Sequence, residues 1–308
     1  MSFDVLQEKI IALKNPTVAG LDPKPEYVPA HIRRASYNEF GENLAGAVDA
    51  IFQFNKGLID ALCDIVPAVK PQSAYYERLG WRGMKMLEAT IRYAHEKGMY
   101  VIADIKRGDI GSTAEAYADG WLGETRVEDT LCRGFGADCV TLNGYMGADS
   151  VNPFLKVAAE KDKCVFILAK TSNPGSGELQ NVSAGDNDTV YGLMADLIEK
   201  WGAGTQGKYG YTRAGAVVGA TYPEELQQLR ARMPHTFLLV PGYGAQGGTA
   251  EDVRYAFQDK GRGAIVNSSR GIICAWQKTG KNGEDYQQAA RDAAIAMRDD
   301  ICRYITIG

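Results

Sequence analysis

Short apolar segments alternate with amphipathic segments along almost the whole chain, and this alternation constrains the fold more than any other feature. Eight apolar segments have the length of buried strands: 17–21, 65–69, 100–105, 137–142, 164–168, 214–219, 237–240 and 263–266. Strands that alternate with helices form parallel sheets with right-handed crossovers. Eight such repeats within about 290 residues favour a closed α/β barrel, the (β/α)8 or TIM barrel, over an open sheet.

Helical spacing of apolar residues predicts the elements between the strands. They are residues 41–62, 82–97, 112–122, 125–133, 150–160, 188–201, 223–232, 249–258 and 284–305, and residues 3–14 form an extra N-terminal helix. Gly98 is expected just beyond a helix end, and Ser112 or a polar neighbour is expected to cap the next helix. No linker or shift in composition interrupts the pattern, so we expect a single domain over residues 1–308.

Charge and cysteine content exclude several classes of function. The chain carries 34 basic and 38 acidic residues, a net charge of −4, which gives no electrostatic footprint for a nucleic acid polymer or an anionic membrane. The six cysteines lie no closer than seven residues apart, which excludes the Cys-x-x-Cys motif of zinc and redox sites. The N-terminus lacks an apolar signal core, and no segment reaches the roughly 18 apolar residues of a membrane span. We therefore expect a cytoplasmic protein with reduced thiols.

Polar residues follow most of the eight predicted strands, where functional residues collect in a barrel of this kind. In chain order they are Asp22, Lys70, Asp104, Lys106, Asp109, Asn143, Thr171, Ser172, Gln246 and Arg270. Three acids and two lysines thus meet at one rim. A ladder of structural ion pairs would not need every charge at the same end, so we expect a functional site there.

The segment Asp104-x-Lys106-x-x-Asp109 is the densest part of this rim. Side chains alternate along a strand, so Asp104 and Lys106 should point the same way, and by themselves they favour a simple salt bridge. Beside Lys70 and Asp22 they form an alternating array in which each charge keeps its neighbours ionised. A lysine held between carboxylates can stabilise a carbanion and then protonate it, and a carboxylate that faces a substrate carboxylate favours loss of CO₂. None of this chemistry needs a metal or a cofactor.

The last two turns of the rim are rich in glycine and suit a phosphate group. Residues 242–248 and 267–271 can expose backbone N–H groups to an anion, as loops after the seventh and eighth barrel strands often do. Arg270 adds a planar guanidinium and Gln246 a neutral donor. The three histidines lie away from the strand ends, and Ser172 has no histidine partner, so a nucleophilic serine is disfavoured.

These residues resemble a known family. The segment 104–113, Asp-Ile-Lys-Arg-Gly-Asp-Ile-Gly-Ser-Thr, is similar to the D-x-K-x-x-D-I-x-x-T signature of orotidine 5′-phosphate decarboxylases. The segments 20–23, 69–72, 171–175, 240–248 and 267–271 resemble its longer, bacterial "type 2" branch. The match runs from about residue 17 to residue 276 in the same order, and two departures from common family residues, Asn173 and Gly144, lie outside the charged array.

The resemblance implies a role for each matching position. Lys106 would protonate C6 of the pyrimidine, with Lys70, Asp104 and Asp109 completing the charged array. The substrate-binding positions would be Asp22 and Thr113 for the ribose, Ser172 for the pyrimidine, and Gln246 and Arg270, with backbone N–H groups near Gly244 and Ser269, for the phosphate. The resemblance also implies that Asp109, Ile110 and Thr113 reach into a neighbouring subunit, which predicts a homodimer with shared active sites.

The predicted reaction is therefore the metal-independent decarboxylation of orotidine 5′-monophosphate to UMP and CO₂, the last step of pyrimidine nucleotide synthesis. Two alternatives remain open from the residues. One is a Mg²⁺-dependent sugar-phosphate decarboxylase or aldolase of the same barrel superfamily. The other is a non-catalytic barrel that binds a phosphate ligand, which is disfavoured because the lysine needed for proton transfer is present.

Overall fold

The computed structural model describes residues 2–185, 188–244 and 247–308. Its strands are β1 (Thr17–Leu21), β2 (Ala68–Pro71), β3 (Tyr100–Arg107), β4 (Glu124–Val127), β5 (Thr130–Arg133), β6 (Cys139–Leu142), β7 (Cys164–Lys170), β8 (Ala214–Val218), β9 (Leu238–Val240) and β10 (Ala264–Ser268). Within the described residues, eight parallel strands close into a barrel in the order β1-β2-β3-β6-β7-β8-β9-β10, and β10 pairs with β1 to complete the ring. The predicted TIM barrel is confirmed.

Helices surround the barrel. They are α1 (Ser2–Leu13), α2 (Ala30–Phe40), α3 (Leu44–Leu62), α4 (Ala74–Glu77), α5 (Gly80–Glu96), α6 (Gly111–Trp121), α7 (Ala148–Glu160), α8 (Gly177–Gln180), α9 (Val190–Gly202), α10 (Pro223–Arg232), α11 (Ala250–Val253), α12 (Arg270–Ile273) and α13 (Tyr286–Cys302). Short 3-10 helices cover Pro25–Tyr27, Pro174–Ser176, Arg254–Ala256, Asp259–Gly261 and Ala275–Lys278. None of the helices in the described part of the chain combines the length and apolar character needed to cross a membrane.

The core has two layers because barrel strands are buried on both faces. Outward residues pack against the surrounding helices, and inward residues such as Val18, Ile102 and Ile265 fill the barrel interior. Helix α1 closes the interior at the amino ends of the strands: the Phe3 ring lies 5.0 Å from the ring of Phe166 and stacks at 5.0 Å on that of Phe237. The opposite end, where the strands end in polar residues, is left for a ligand.

Most predicted elements agree with the structure. The strand predicted at residues 17–21 and the helix predicted at 223–232 have those bounds. Gly98 lies just beyond α5 with φ of 75°, a left-handed conformation that glycine adopts without strain. The predicted helix at 249–258 is shorter: α11 ends at Val253 and continues as the 3-10 turn Arg254–Ala256.

Three expectations about local structure are wrong or incomplete. Residues 125–133 are not helical but form the antiparallel hairpin β4–β5, which turns at Glu128 with φ of 51°. β-branched residues on both arms favour extended backbone, and the hairpin lies on the surface, where no core favours a helix. Ser112 does not cap α6; Ile110 holds that position without a side-chain bond. Helix α2 was not predicted.

Candidate active site

A cavity of about 580 Å³ opens at the carboxyl ends of the barrel strands. Charged residues from β2 and β3 line one side, and Leu168, Val217 and Leu239 form an apolar wall opposite. Its volume suits a small organic ligand, and apolar walls with a few convergent polar groups are typical of binding sites. This end of the barrel therefore has the features of a ligand-binding site.

Asp104 is the centre of the charged side of the cavity. Its Oδ2 atom accepts a hydrogen bond from Lys70 Nζ at 2.6 Å, and its Oδ1 atom accepts from Lys106 Nζ at 2.6 Å. The Thr141 hydroxyl also donates to Oδ1 at 2.8 Å, and it accepts from the backbone N–H of Lys106 at 2.9 Å. Both oxygens of one carboxylate are thus held by cations from two neighbouring strands, which fixes its orientation.

Lys70 and Lys106 differ in their exposure to solvent, so they can play different roles. Lys70 and Asp104 are 4% and 6% exposed, whereas the side chain of Lys106 is 44% exposed and reaches the cavity. Burial by itself raises the pKa of Asp104, but Lys70 and Lys106 outweigh it and hold that pKa below its ordinary value. Burial lowers the pKa of Lys70, but Asp104 and Asp22 outweigh it and raise that pKa. Lys70 and Asp104 therefore stay charged at neutral pH.

A bulge in β3 brings Lys106 to this position. Ala103 pairs with Val140 but Arg107 pairs with Leu142, so β3 holds extra residues against its neighbour. Lys106 has φ of 47°, in the left-handed region that lysine rarely adopts. The predicted contact between Asp104 and Lys106 is present, but it arises from this bulge and not from regular alternation. Strain of this kind persists where surrounding contacts enforce it, and it clusters at functional sites.

Two side-chain oxygens in the cavity wall lack a partner. Asp22 Oδ1 and Asn267 Oδ1 are buried from solvent and accept no hydrogen bond from any described residue. Buried acceptors are nearly always satisfied in folded proteins, so two unsatisfied ones in a cavity wall are candidate contacts for a ligand. Ligand hydroxyl or amide groups would satisfy both atoms.

A third part of the cavity suits an anion. Arg270 is exposed at the rim and makes no hydrogen bond or ion pair with a described residue, so its guanidinium is available. The Ser269 side chain lies over Gly20, where an added Cβ atom would be 1.8 Å from Ser269 Oγ. Gly20 is thus needed to make room for Ser269. Gly244 lies outside the cavity lining and its N–H donates to Gly248 O at 2.8 Å, and Gln246 lies outside the described residues.

Asp109, Ile110 and Thr113 do not line the cavity of their own chain. Asp109 Oδ1 accepts from the backbone N–H of Ile110 at 2.8 Å, the Ile110 side chain is 54% exposed, and Thr113 is exposed. Asp109 and Ile110 lie between β3 and α6, and Thr113 lies in the first turn of α6; Asp109 is half-buried.

The cavity brings together seven of the site residues predicted from the sequence. They are Asp22, Lys70, Asp104, Lys106, Ser172, Ser269 and Arg270. Sequence reasoning missed Thr141 and did not single out Asn267 as a contact. Both were detectable: Thr141 is two residues after the inward Cys139, and Asn267 is two residues after the inward Ile265. A polar residue at an inward position near a strand end signals the site.

A closed barrel with a charged cavity at the carboxyl ends of its strands is the arrangement typical of TIM-barrel enzymes. A family model described as "Orotidine 5'-phosphate decarboxylase / HUMPS family" matches residues 47–282. The chain is 42% identical over 300 residues to orotidine 5′-phosphate decarboxylase of Rhodopirellula baltica, covering 96% of this chain and 97% of the relative. It is 40% identical over 302 residues to the Clostridium perfringens enzyme of that name, covering 98% of both.

Solved structures agree with these matches. The structure of Leishmania donovani OMP decarboxylase has a TM-score of 0.71 and 31% identity, covering 97% of this chain and 98% of that chain. A structure of putative orotidine 5′-phosphate decarboxylase from Streptomyces avermitilis has a TM-score of 0.73 and 31% identity, covering 98% and 96%. The chain belongs to the orotidine 5′-phosphate decarboxylase / HUMPS family.

Proposed function

We propose that the chain decarboxylates orotidine 5′-monophosphate to UMP and CO₂, and that Lys106 delivers the proton to C6. The observation that carries the proposal is the Lys70–Asp104–Lys106 array, in which one carboxylate is held between two ammonium groups at 2.6 Å each. Because both oxygens of Asp104 are already engaged by lysines, the array compensates its own charge without a divalent cation. The relatives named orotidine 5′-phosphate decarboxylase, at 42% and 40% identity, support this substrate.

The proposed reaction breaks the bond between C6 and the carboxylate carbon. The bonding electron pair stays on C6 as CO₂ leaves, and the ammonium of Lys106 stabilises this carbanion before it gives up a proton. Asp104 would lie near the substrate carboxylate, whose charge is lost in the reaction. Lys106 is 44% exposed, so in the free enzyme it can regain a proton from solvent, whereas buried Lys70 serves to hold Asp104.

The rest of the substrate is proposed to bind by charge and polarity. Arg270, with Ser269 and Gln246, would bind the phosphate, since a guanidinium forks onto phosphate oxygens. Ribose hydroxyls would satisfy the unpartnered acceptor of Asp22, with Asn267 Oδ1 as a second acceptor. Ser172 would contact the pyrimidine, which packs against the apolar wall of Leu168, Val217 and Leu239.

We further propose a homodimer in which Asp109, Ile110 and Thr113 complete the partner's site. Their absence from the cavity lining of their own chain, together with the exposure of Ile110 and Thr113, supports this arrangement. A complementation experiment tests it: the inactive variants Lys106→Ala and Asp109→Ala are mixed, partly unfolded and refolded together. If sites are shared, random pairing leaves one intact site in half of the dimers and restores about a quarter of wild-type activity. No recovery would mean that Asp109 acts within its own chain.

The reaction is tested by following the absorbance loss of orotidine monophosphate in the presence of EDTA. Turnover that is unaffected by EDTA is expected; a rate that EDTA abolishes, or no turnover at all, would contradict the proposed metal-independent reaction. Lys106→Ala should abolish turnover while leaving UMP binding largely intact. An active Lys106→Ala variant would refute its role as the proton donor.

Two broader predictions accompany this proposal. The pairing of β1 with β10 ties the two ends of the sequence into one ring, which supports one domain over residues 1–308. All six cysteines are free thiols, which supports a reducing compartment such as the cytoplasm.

A further inference from the structure

Lys170, at the end of β7, is a buried cation that the proposed chemistry does not use. It is 1% exposed and lies outside the cavity lining. Strand alternation would turn it inward like Leu168, but a register shift between the two residues directs it towards the helices. A charged group is rarely buried without a partner, because the loss of hydration is costly.

The partners of Lys170 come from three separate segments. Its ammonium donates to Asn181 Oδ1 and lies 3.3 Å from Glu225 Oε2. It also lies 4.9 Å from the ring centre of Tyr191 and 5.0 Å from that of Tyr222, within the range of cation–π attraction. Asn181 follows α8, Tyr191 is in α9, and Tyr222 and Glu225 stand at the start of α10. One ammonium group thus joins the loop after β7 to the loop after β8.

The next residue along the chain makes a parallel connection. The backbone N–H of Thr171 donates to Gln180 Oε1 at 2.9 Å, and Gln180 Nε2 donates to the Thr171 hydroxyl at 2.8 Å. That hydroxyl donates to Asn173 Oδ1 at 2.6 Å. The consecutive residues Lys170 and Thr171 therefore bind the consecutive residues Asn181 and Gln180, which fixes α8 against the end of β7.

The connection matters for the cavity because Thr171, Ser172 and Asn173 line it. Beneath them, Gly219 donates its N–H to Lys170 O at 2.8 Å, and a Cβ atom on Gly219 would lie 2.8 Å from Ser172 Cβ. Gly219 holds one side of the segment 171–173, and α8 holds the other side. A change at the Lys170 side chain would release only the side that faces α8.

We propose that Lys170 is a positioning residue that holds Thr171, Ser172 and Asn173 against the ring end of the ligand, through Asn181 and Glu225. The identity of the ligand rests on the proposed function, but the positioning does not. The inference predicts that weakening these contacts impairs recognition of the base and leaves recognition of the phosphate end, at Arg270, unchanged.

Asn181→Ala is the first test, because Asn181 is exposed and its loss leaves Lys170 paired with Glu225. The Kd of UMP and the KM of orotidine monophosphate should rise about tenfold or more, with a smaller fall in kcat, since small misplacements of positioning groups carry large costs. The Kd of ribose 5-phosphate should not change. Asn181→Asp keeps the acceptor oxygen and should restore wild-type values.

A double variant removes the buried charges together. Lys170→Met/Glu225→Gln leaves no uncompensated ion, so it should fold and still show the raised Kd and KM. The matched control is Lys208→Met/Glu8→Gln, which removes a 2.8 Å ion pair whose side chains are 65% and 50% exposed, and which should behave as wild type. Wild-type KM and Kd in the folded double variant would overturn the proposal, as would an equal loss of affinity for ribose 5-phosphate.

Amide hydrogen exchange tests the positioning without a ligand. The N–H of Thr171 should exchange faster in Asn181→Ala than in wild type, whereas strand amides such as that of Val165 should not. Unchanged exchange at Thr171 would overturn the proposal. If the wild-type chain bound no UMP, the proposed function would fail, and this measurement would still decide the role of Lys170.

Discussion

Asp104→Asn is the change that tests the charged centre most directly, because it should reverse how stability depends on pH. In the wild-type chain the pKa of Lys70 is raised above its ordinary value of 10.5 by Asp104 and Asp22, against the opposing effect of burial. A raised pKa contributes stability below pH 10.5 that is lost as pH rises through the folded-state value. Without Asp104, burial becomes the dominant influence and should carry the pKa of Lys70 below 10.5.

The folded variant would then bind the Lys70 proton more weakly than the unfolded chain does. Its free energy of unfolding should be lower than wild type at pH 7 by about 3 to 5 kcal/mol, the usual loss when one partner of a buried pair is removed. It should rise with pH between the lowered pKa and 10.5, by at most about 1.4 kcal/mol per pH unit for one proton.

Guanidinium titrations at pH 7, 8 and 9 measure this slope. Lys70→Met/Asp104→Asn is the control, because without Lys70 the added pH dependence should disappear. If the free energy of unfolding changed equally with pH in Asp104→Asn and in wild type, Asp104 would not be the group that keeps Lys70 charged.

Three further changes probe other contacts. Gly20→Ala places a methyl group 1.8 Å from Ser269 Oγ and should weaken UMP binding about tenfold, which is the value of one hydrogen bond. The double variant Gly20→Ala/Ser269→Gly should relieve the clash. Equal affinity for UMP in wild type and Gly20→Ala would exclude Ser269 from the site. Asn267→Leu removes an unsatisfied buried acceptor, so urea titration should show stability equal to or greater than that of wild type. Calorimetry should show weaker binding of UMP. Unchanged affinity for UMP would exclude Asn267 from the site. Burial raises the pKa of Asp138, but His95 and Lys163 outweigh it and lower that pKa from 3.8 to about 2. Asp138→Asn should therefore lower the free energy of unfolding by about 2 kcal/mol at pH 7. Because a lowered pKa stabilises above 3.8, that loss should shrink as pH falls from 3.8 towards 2, and a loss independent of pH would exclude the charge as its cause.

The barrel was predictable because its strands are buried on both faces and stand out as apolar runs. Their polar ends were predictable for the same reason: a charge that interrupts such a run, as Lys70 and Asp104 do, must end the strand or serve a site. The carboxyl ends of parallel strands lie together, so the order of residues along each strand is enough to place these charges at one end of the barrel.

The hairpin β4–β5 was not predictable in this way. Its residues have some helical spacing, but they pack against no core that would favour one structure over another. The turn between the strands places Glu128 in a left-handed conformation, which a residue other than glycine rarely adopts and which the sequence does not signal.

The bulge at Lys106 illustrates a second limit. A left-handed lysine is unfavourable locally, and only contacts such as that of its N–H with Thr141 Oγ1, 35 residues away, hold it there. Local patterns carry no information about such contacts. Asp104 and Lys106 were expected to meet by the alternation of a regular strand, whereas β3 is bulged between Ala103 and Arg107.

Helix α1 has a consequence for the order in which the chain can fold. Asp4 Oδ1 accepts from the N–H of Tyr209, and Gln7 Oε1 accepts from that of Gly263, contacts that span 205 and 256 residues. During synthesis, α1 is made long before the later strands against which it packs. Phe3, Leu6 and Ile10 therefore stay unburied until those strands are in place. We therefore expect closure of the barrel at the amino ends of its strands to be a late step of folding.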